Sequence, residues 1–291
     1  MTSPKSLLKA WELRPKKRLG QSFLSDPSTA ASITARARLS SQDVVLEIGA
    51  GLGALTIPLA QTVKKIYAVE KDHQLIDLLK TELLTHNISN CEIIAGDILQ
   101  IDLRKFTASA DRKITVIGNL PYNISSQILI RLIQSRHDFN RAIFMFQKEL
   151  AQRIAARPGG KEYGRITAML RYCAEIRTLL NVKANAFYPQ PKVDSAVIEI
   201  KFAPTTGYDP HDEAMLFAVI KAAFGNRRKT LKNALAASEL PVDSQTALQA
   251  LSSAGIDHSR RAETLEPGEF VSLEISLRKA MALNPEPIIK P

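Results

Sequence analysis

Asn119, Leu120, Pro121 and Tyr122 stand together where the hydrophobic part of "VIGNLPYNISS" stops abruptly. A carboxamide oxygen beside a backbone carbonyl can accept both N–H groups of an aromatic amine. Such an amine is a poor nucleophile because its lone pair is delocalised into the ring. Holding both protons encourages a tetrahedral nitrogen and turns the lone pair towards an electrophile. The Asn119 side-chain oxygen and the Leu120 carbonyl are the two acceptors. Pro121 fixes its own φ and biases Leu120 to an extended conformation, which aims that carbonyl. Tyr122 adds a flat face for an extruded base. The chemistry that fits is methyl transfer to an adenine amine, driven mainly by positioning and electrostatics. Asn and Pro are also ordinary turn residues, so the rest of the chain must decide.

A second group of residues suits a nucleoside cofactor. In "LEIGAGLGALT", Gly49, Gly51 and Gly53 separate a strand from a helix and let a ligand approach the backbone without a Cβ in the way. Glu70 ends the next strand, where a carboxylate can accept from both ribose hydroxyls. The dinucleotide pattern G-x-G-x-x-G is broken, because Ala54 takes its last position and glycine comes one place early. That position tolerates Ala, so a nicotinamide oxidoreductase shares these features and leaves only the Asn-Leu-Pro-Tyr group unexplained. The acidic approach "LEIG" suits a ligand carrying an ammonium and a sulfonium, as S-adenosylmethionine (AdoMet) does. Asp97, after a small "AG" step, can accept from an adenine amine.

The elements that must position these residues read as alternating strands and helices. "DVVLEIG", "KIYAVE", "CEIIAGD", "KITVIGN" and "AIFMFQ" are strands, with helices between them and another from about Lys148. Ser25 or Asp26 can cap the first of these helices, with Pro27 in its first turn, and Asp72 can cap another. Alternation of this kind implies right-handed βαβ units, a parallel sheet and ligands beyond the carboxyl ends of the strands. Gly49, Glu70, Asp97 and Asn119 all fall at such ends. "SAVIEIKF" reads as a late antiparallel strand at the sheet edge. The expectation is an α/β protein: a Rossmann-like AdoMet-dependent methyltransferase sheet over 1–206, with a basic N-terminal arm, then a small all-helical domain over 207–291.

The 291 residues are 45% hydrophobic, enough for a sizeable core. Two distant cysteines, Cys91 and Cys173, and five scattered histidines give no disulfide framework and no metal site. The apolar region Val44 to Ala60 is too short and too broken to span a membrane. A cytoplasmic monomer without metal is expected. The net charge of +10 is unevenly placed: 29 Lys+Arg oppose 18 Asp+Glu over residues 1–205, and 10 oppose 11 over 206–291. Lys16, Lys17 and Arg18 stand in the basic arm, and a second concentration runs from Arg131 to Arg171. Clustered cations attract a polyphosphate by steering and counterion release, which points to nucleic acid. Arg227, Arg228, Lys229 and Lys232 add a cluster on about one helical turn.

In "KKRLGQSFL", "VLEIGAGLGALT", "YAVEKD", "AGDIL", "GNLPYNISS", "FYPQPKVDSAV" and "AAFGNRRKTLKNAL", the sequence closely resembles the KsgA/RsmA family, the 16S rRNA adenine N6,N6-dimethyltransferases. The motifs run in family order over nearly the whole chain. The resemblance implies an AdoMet-dependent enzyme that dimethylates two adjacent adenosines in a hairpin near the 3′ end of 16S rRNA, in a pre-30S or 30S particle, with a role in ribosome biogenesis. It implies an AdoMet pocket of Ser22, Leu24, Gly49, Glu70, Asp97 and Asn119, joined by Gly51 from the glycine loop. It also implies that Asn119 to Tyr122 hold the target adenine and that Phe187 forms a second aromatic wall. Arg227, Arg228 and Lys229 become candidate rRNA contacts beside Lys16, Lys17 and Arg18. The chain departs from the family at Ser22, where "GQNFL" usually has Asn, and at Gln190, where proline is common.

Overall fold

The computed structural model describes residues 2–107, 113–121, 123–203, 212–226 and 228–283. It divides into two compact units. One is the chain up to Ala151 together with Glu175–Phe202; the other is Gln152–Ala174 with the chain from Ala203 onward.

The strands are β1 (Phe23–Leu24), β2 (Val44–Ile48), β3 (Lys65–Glu70), β4 (Cys91–Ala95), β5 (Ile114–Asn119), β6 (Phe139–Gln147), β7 (Ala174–Val182), β8 (Phe187–Tyr188) and β9 (Ser195–Phe202). Seven of them form one sheet in the order β4-β3-β2-β5-β6-β9-β7, while β1 and β8 form a short antiparallel ribbon. From β4 to β6 the strands are parallel, and β9 runs antiparallel to β6. The expected Rossmann-like sheet is present. The late strand β9 is not its edge, however, because β7 lies beyond it.

Both faces of the central strands β2, β5, β6 and β9 are largely buried, which is why they read as nearly continuous apolar runs. In register, Val45, Ile66, Ile117, Ile143 and Val197 share one face. They pack with Ala30 and Ile33 of the helix Pro27–Ala37 and with Ile57 and Leu59 of the helix Thr56–Ala60. Leu46, Val116, Ala142 and Phe144 lie on the opposite face and are equally buried. Helix α1 spans Pro4–Ala10, α2 Pro27–Ala37, α3 Thr56–Ala60, α4 His73–Thr85, α5 Arg104–Thr107, α6 Ser125–Gln134 and α7 Lys148–Ala155. Asp26 caps α2 by accepting from the Ser28 and Thr29 N–H groups, and Pro27 opens that helix. Asp72 caps α4 through the Gln74 N–H. The order of strands reverses between β2 and β5, so a crevice opens beyond their carboxyl ends.

The second unit contains α8 (Arg165–Cys173), α9 (Glu213–Ala223), α10 (Leu231–Ala236), α11 (Ser244–Ser253) and α12 (Pro267–Leu283). Residues 152–174, expected with the sheet, belong here. Aromatic packing explains why: Tyr172 sits edge-on to Phe217 at 5.9 Å and its hydroxyl donates to Glu213 Oε1, while Tyr163 stacks towards Phe224 and Phe224 towards Phe270. Neither Cys91 nor Cys173 is joined in a disulfide. Among the described residues no helix is long and apolar enough to cross a membrane. Among them, too, no group of three or more His, Cys, Asp or Glu side chains could hold a metal ion.

Candidate active site

A cleft lies beyond the carboxyl ends of β2, β3 and β5. Its walls include Ser22, Phe23, Gly49, Gly51, Glu70, Lys71, Asp97, Asn119 and Leu120. Strand ends therefore bring together most of the residues expected to act jointly. Gly51 adopts a left-handed φ of 56°, and an added Cβ would touch the Phe23 ring at 3.4 Å. Its N–H donates to Glu70 Oε2 at 2.8 Å, while the Asp72 N–H donates to Oε1 at 2.8 Å. Each carboxylate oxygen thus accepts one bond and retains a second lone-pair site. Burial pushes the Glu70 carboxyl up, and the Asp72 and Gly51 N–H groups oppose that rise.

Asn119 ends β5. Its Nδ2 donates to the Ser22 carbonyl at 2.9 Å, which fixes the amide so that Oδ1 is the remaining acceptor. Neither that Oδ1 nor the Leu120 carbonyl accepts a hydrogen bond among the described residues. The Pro121 carbonyl, by contrast, accepts from Ile124 N and Ser125 Oγ at the start of α6. Tyr122 lies outside the described residues. Asp97 accepts from Lys71 Nζ at 2.7 Å and from Leu99 N at 3.0 Å. Burial raises its carboxyl, but the Lys71 ammonium and the Leu99 N–H outweigh that and hold it below the ordinary range. The cleft thus offers a buried carboxylate beside a glycine turn, a second carboxylate, and two acceptors at Asn119–Leu120. That donor and acceptor set fits a cationic nucleoside cofactor, such as AdoMet, next to an aromatic amine.

Two expected residues sit elsewhere. In the β1–β8 ribbon Phe23 pairs with Tyr188 and Leu24 with Phe187. The alternation turns Phe23 to the cleft and sends Leu24 and Phe187 into the core with Ala30 and Ile33. Neither Leu24 nor Phe187 is among the described residues that line this cleft. Ser22 does line it, and its hydroxyl donates to the Pro189 carbonyl at 3.0 Å.

The cations also divide. Lys16 is ion-paired with Asp72 at 2.6 Å, so its ammonium is committed within the protein, whereas Lys17 and Arg18 are exposed. In the run from residue 131 to 171, Arg131 donates to the Ile98 and Ile101 carbonyls and Arg136 to that of Ile133. Arg141 holds Glu199 and the Ala37 carbonyl, and Arg171 holds the carbonyls of Ala155 and Ala156. Four of the nine cations in that run thus bond backbone carbonyls, while Lys148, Arg153, Arg157 and Lys161 are exposed. Arg228 and Lys229 are exposed before α10, and Arg227 lies outside the described residues.

Three contributors were not foreseen as such: Lys71, Asp72 as more than a helix cap, and Gly118. An added Cβ at Gly118 would stand 2.5 Å from the Ile48 carbonyl oxygen, so β2 and β5 approach this closely only because residue 118 has none. Its position directly before Asn119 was the available signal.

The sequence matches the ribosomal RNA adenine dimethylase family over residues 12–279. It is 50% identical to "Ribosomal RNA small subunit methyltransferase A" of Desulforapulum autotrophicum, covering 95% of this chain and 97% of that protein. The protein of the same description from Myxococcus xanthus is 37% identical over 95% of this chain and 96% of its own. A dimethyladenosine transferase from Plasmodium falciparum superposes with a TM-score of 0.75 at 26% identity, over 89% of this chain and 98% of that one. The 23S rRNA methyltransferase ErmE superposes with a TM-score of 0.64 at 25% identity, over 88% and 99%. The likeness covers nearly the whole chain: this chain belongs to the ribosomal RNA adenine dimethylase family.

Proposed function

We propose that this chain dimethylates the N6 amines of two adjacent adenosines in a hairpin near the 3′ end of 16S rRNA, acting as a cytoplasmic monomer on a pre-30S or 30S particle. One observation carries the reading: Asn119 and Leu120 line the same cleft as Glu70, and neither the Asn119 Oδ1 nor the Leu120 carbonyl accepts a hydrogen bond among the described residues. S-adenosyl-L-methionine supplies a methyl group activated on a positively charged sulfur. Glu70 receives the ribose hydroxyls, and Asp97, kept ionised by Lys71, receives the adenine amine of the cofactor. Asn119 Oδ1 and the Leu120 carbonyl hold the target amine, with Tyr122 as the stacking face beside it. Lys17 and Arg18 contact rRNA phosphates, and Arg227, Arg228 and Lys229 provide further contacts in the second unit.

Relatives 50% and 37% identical carry the small-subunit name, which supports 16S over 23S rRNA. The likeness to ErmE keeps 23S rRNA as the rival substrate. Purified protein should methylate isolated 30S particles, with dimethyladenosine recovered by mass spectrometry of the 16S nucleosides. Activity on 23S rRNA alone would overturn the assignment. An Asn119→Ala protein that binds the particle without methylating it would separate a role in ribosome biogenesis from catalysis.

A further inference from the structure

The N-terminal arm does more than carry charge, because it forms one wall of the cleft. Arg18, Leu19, Gly20, Gln21, Ser22 and Phe23 all line it. The arm is held at two points by one carboxylate. Asp72 accepts from Lys16 Nζ at 2.6 Å through Oδ1 and from Gln21 Nε2 at 2.8 Å through Oδ2. Gln21 closes the loop by accepting the Lys16 N–H at 2.7 Å through Oε1. The Asp72 side chain is only 4% exposed, and Lys16 and Gln21 hold its carboxyl below the ordinary range against the opposing effect of burial. The backbone N–H of this same residue donates to Glu70 Oε1.

We propose that Asp72 is a positioning residue that latches the basic arm across the cleft, so that cofactor binding and RNA binding are coupled. The inference rests on the functional reading above. Between the anchored Lys16 and Gln21, a single 3₁₀ turn (Lys17–Leu19) presents the exposed Lys17 and Arg18 to solvent. Phosphates that draw on those cations favour the latched arm. A cofactor packed against Gly20, Ser22 and Phe23 favours the same arrangement. Two ligands that stabilise one state must each raise the affinity for the other by the same factor. An arm released from Asp72 could still meet RNA, but it would no longer pass that contact to the wall of the cleft.

The test measures binding of labelled S-adenosylhomocysteine, which cannot donate a methyl, to the full chain with and without saturating 30S particles. In the unmodified protein the particle should tighten binding at least about fivefold, the lower end of ordinary coupling. Asp72→Asn preserves a competent helix cap and removes the charge, so the ratio should fall towards one. Lys16→Met should do the same, and because that side chain is partly solvent-exposed, the variant should fold even if Asp72→Asn does not. Lys16→Arg should retain the coupling. A ratio of one in the unmodified protein, or an undiminished ratio in both Asp72→Asn and Lys16→Met, would overturn the latch. Failure of the functional reading shows separately, as absent methylation of 30S particles by the unmodified protein.

Discussion

Replacing Gly118 by alanine would drive a methyl group into the backbone of the neighbouring strand. The added Cβ would lie 2.5 Å from the Ile48 carbonyl oxygen and 3.2 Å from Leu120 Cδ2. Ordinary contact begins near 3.4 Å, so β2 and β5 must separate by roughly 0.9 Å or twist to the same effect. Leu120 can rotate away, but the Ile48 carbonyl belongs to a central strand and cannot. Overpacking of this kind costs about 1–3 kcal/mol, and each kcal/mol lowers the melting temperature by about 2–4 °C in a chain of this size. The local consequence is larger. Ile48 precedes Gly49 and Gly118 precedes Asn119, so the displacement falls on both sides of the cleft. A misplacement near 1 Å costs about 10²-fold in rate. Single-turnover methylation of 30S particles should therefore slow about 10²-fold in a protein that still melts cooperatively a few degrees lower. A Gly118→Ala variant with unchanged rate and melting temperature would refute the view that strand separation sets the geometry of the site.

Asn119→Ala removes one of the two oxygens proposed to hold the amine and the Nδ2 bond to Ser22; turnover should fall by about 10²-fold or more with cofactor affinity largely retained, as single-turnover rates set against calorimetry would show. Glu47 is fully buried beneath α3, and burial, reinforced by the charge of Glu70 and opposed by Thr56, pushes its carboxyl up to about 8. A raised carboxyl favours folding while protonated, so stability is complete below its unfolded value, near 4.5, and is lost as the pH rises towards 8. Glu47→Gln should abolish that decline in urea titrations across the same window. Neutralising Lys17 and Arg18 together should flatten the salt dependence of RNA affinity by roughly 0.7–0.9 in log–log slope for each phosphate that they neutralise; an unchanged slope would remove both residues from the interface.

The carboxyl-end residues were readable because buried parallel strands are short runs of apolar and β-branched residues, and Gly49, Glu70 and Asn119 each ended such a run. β7 was not: "AEIRTLLNV" does alternate, with Ala174, Ile176, Leu180 and Val182 on one face and Glu175, Arg177 and Asn181 on the other, but Thr178 and Leu179 break the pattern in its middle. The β1–β8 ribbon has two residues on each side, too few to show a period, and a shift of one place decides whether Phe23 or Leu24 faces the cleft. Charge was legible only as an amount. Nothing in the sequence separates the guanidinium of Arg131, aimed at the Ile98 and Ile101 carbonyls, from that of Arg18 on the arm. The close approach at Gly118 was signalled only by its place before Asn119, since a glycine within a strand can also be a mere weakness.

The pairing of β1 with β8 has a bearing on how the molecule comes into being. Ser22 and Pro189, joined by a hydrogen bond, are 167 positions apart, and Ser25 donates to the Ala186 carbonyl across a similar interval. A chain synthesised from its amino end can assemble β2 through β6, and tie Lys16 and Gln21 to Asp72, while β1 still lacks β8. Contacts this distant in sequence form late. The β1–β8 ribbon, which fixes the far end of the arm, would therefore be completed only after the central strands β2 to β6 have paired.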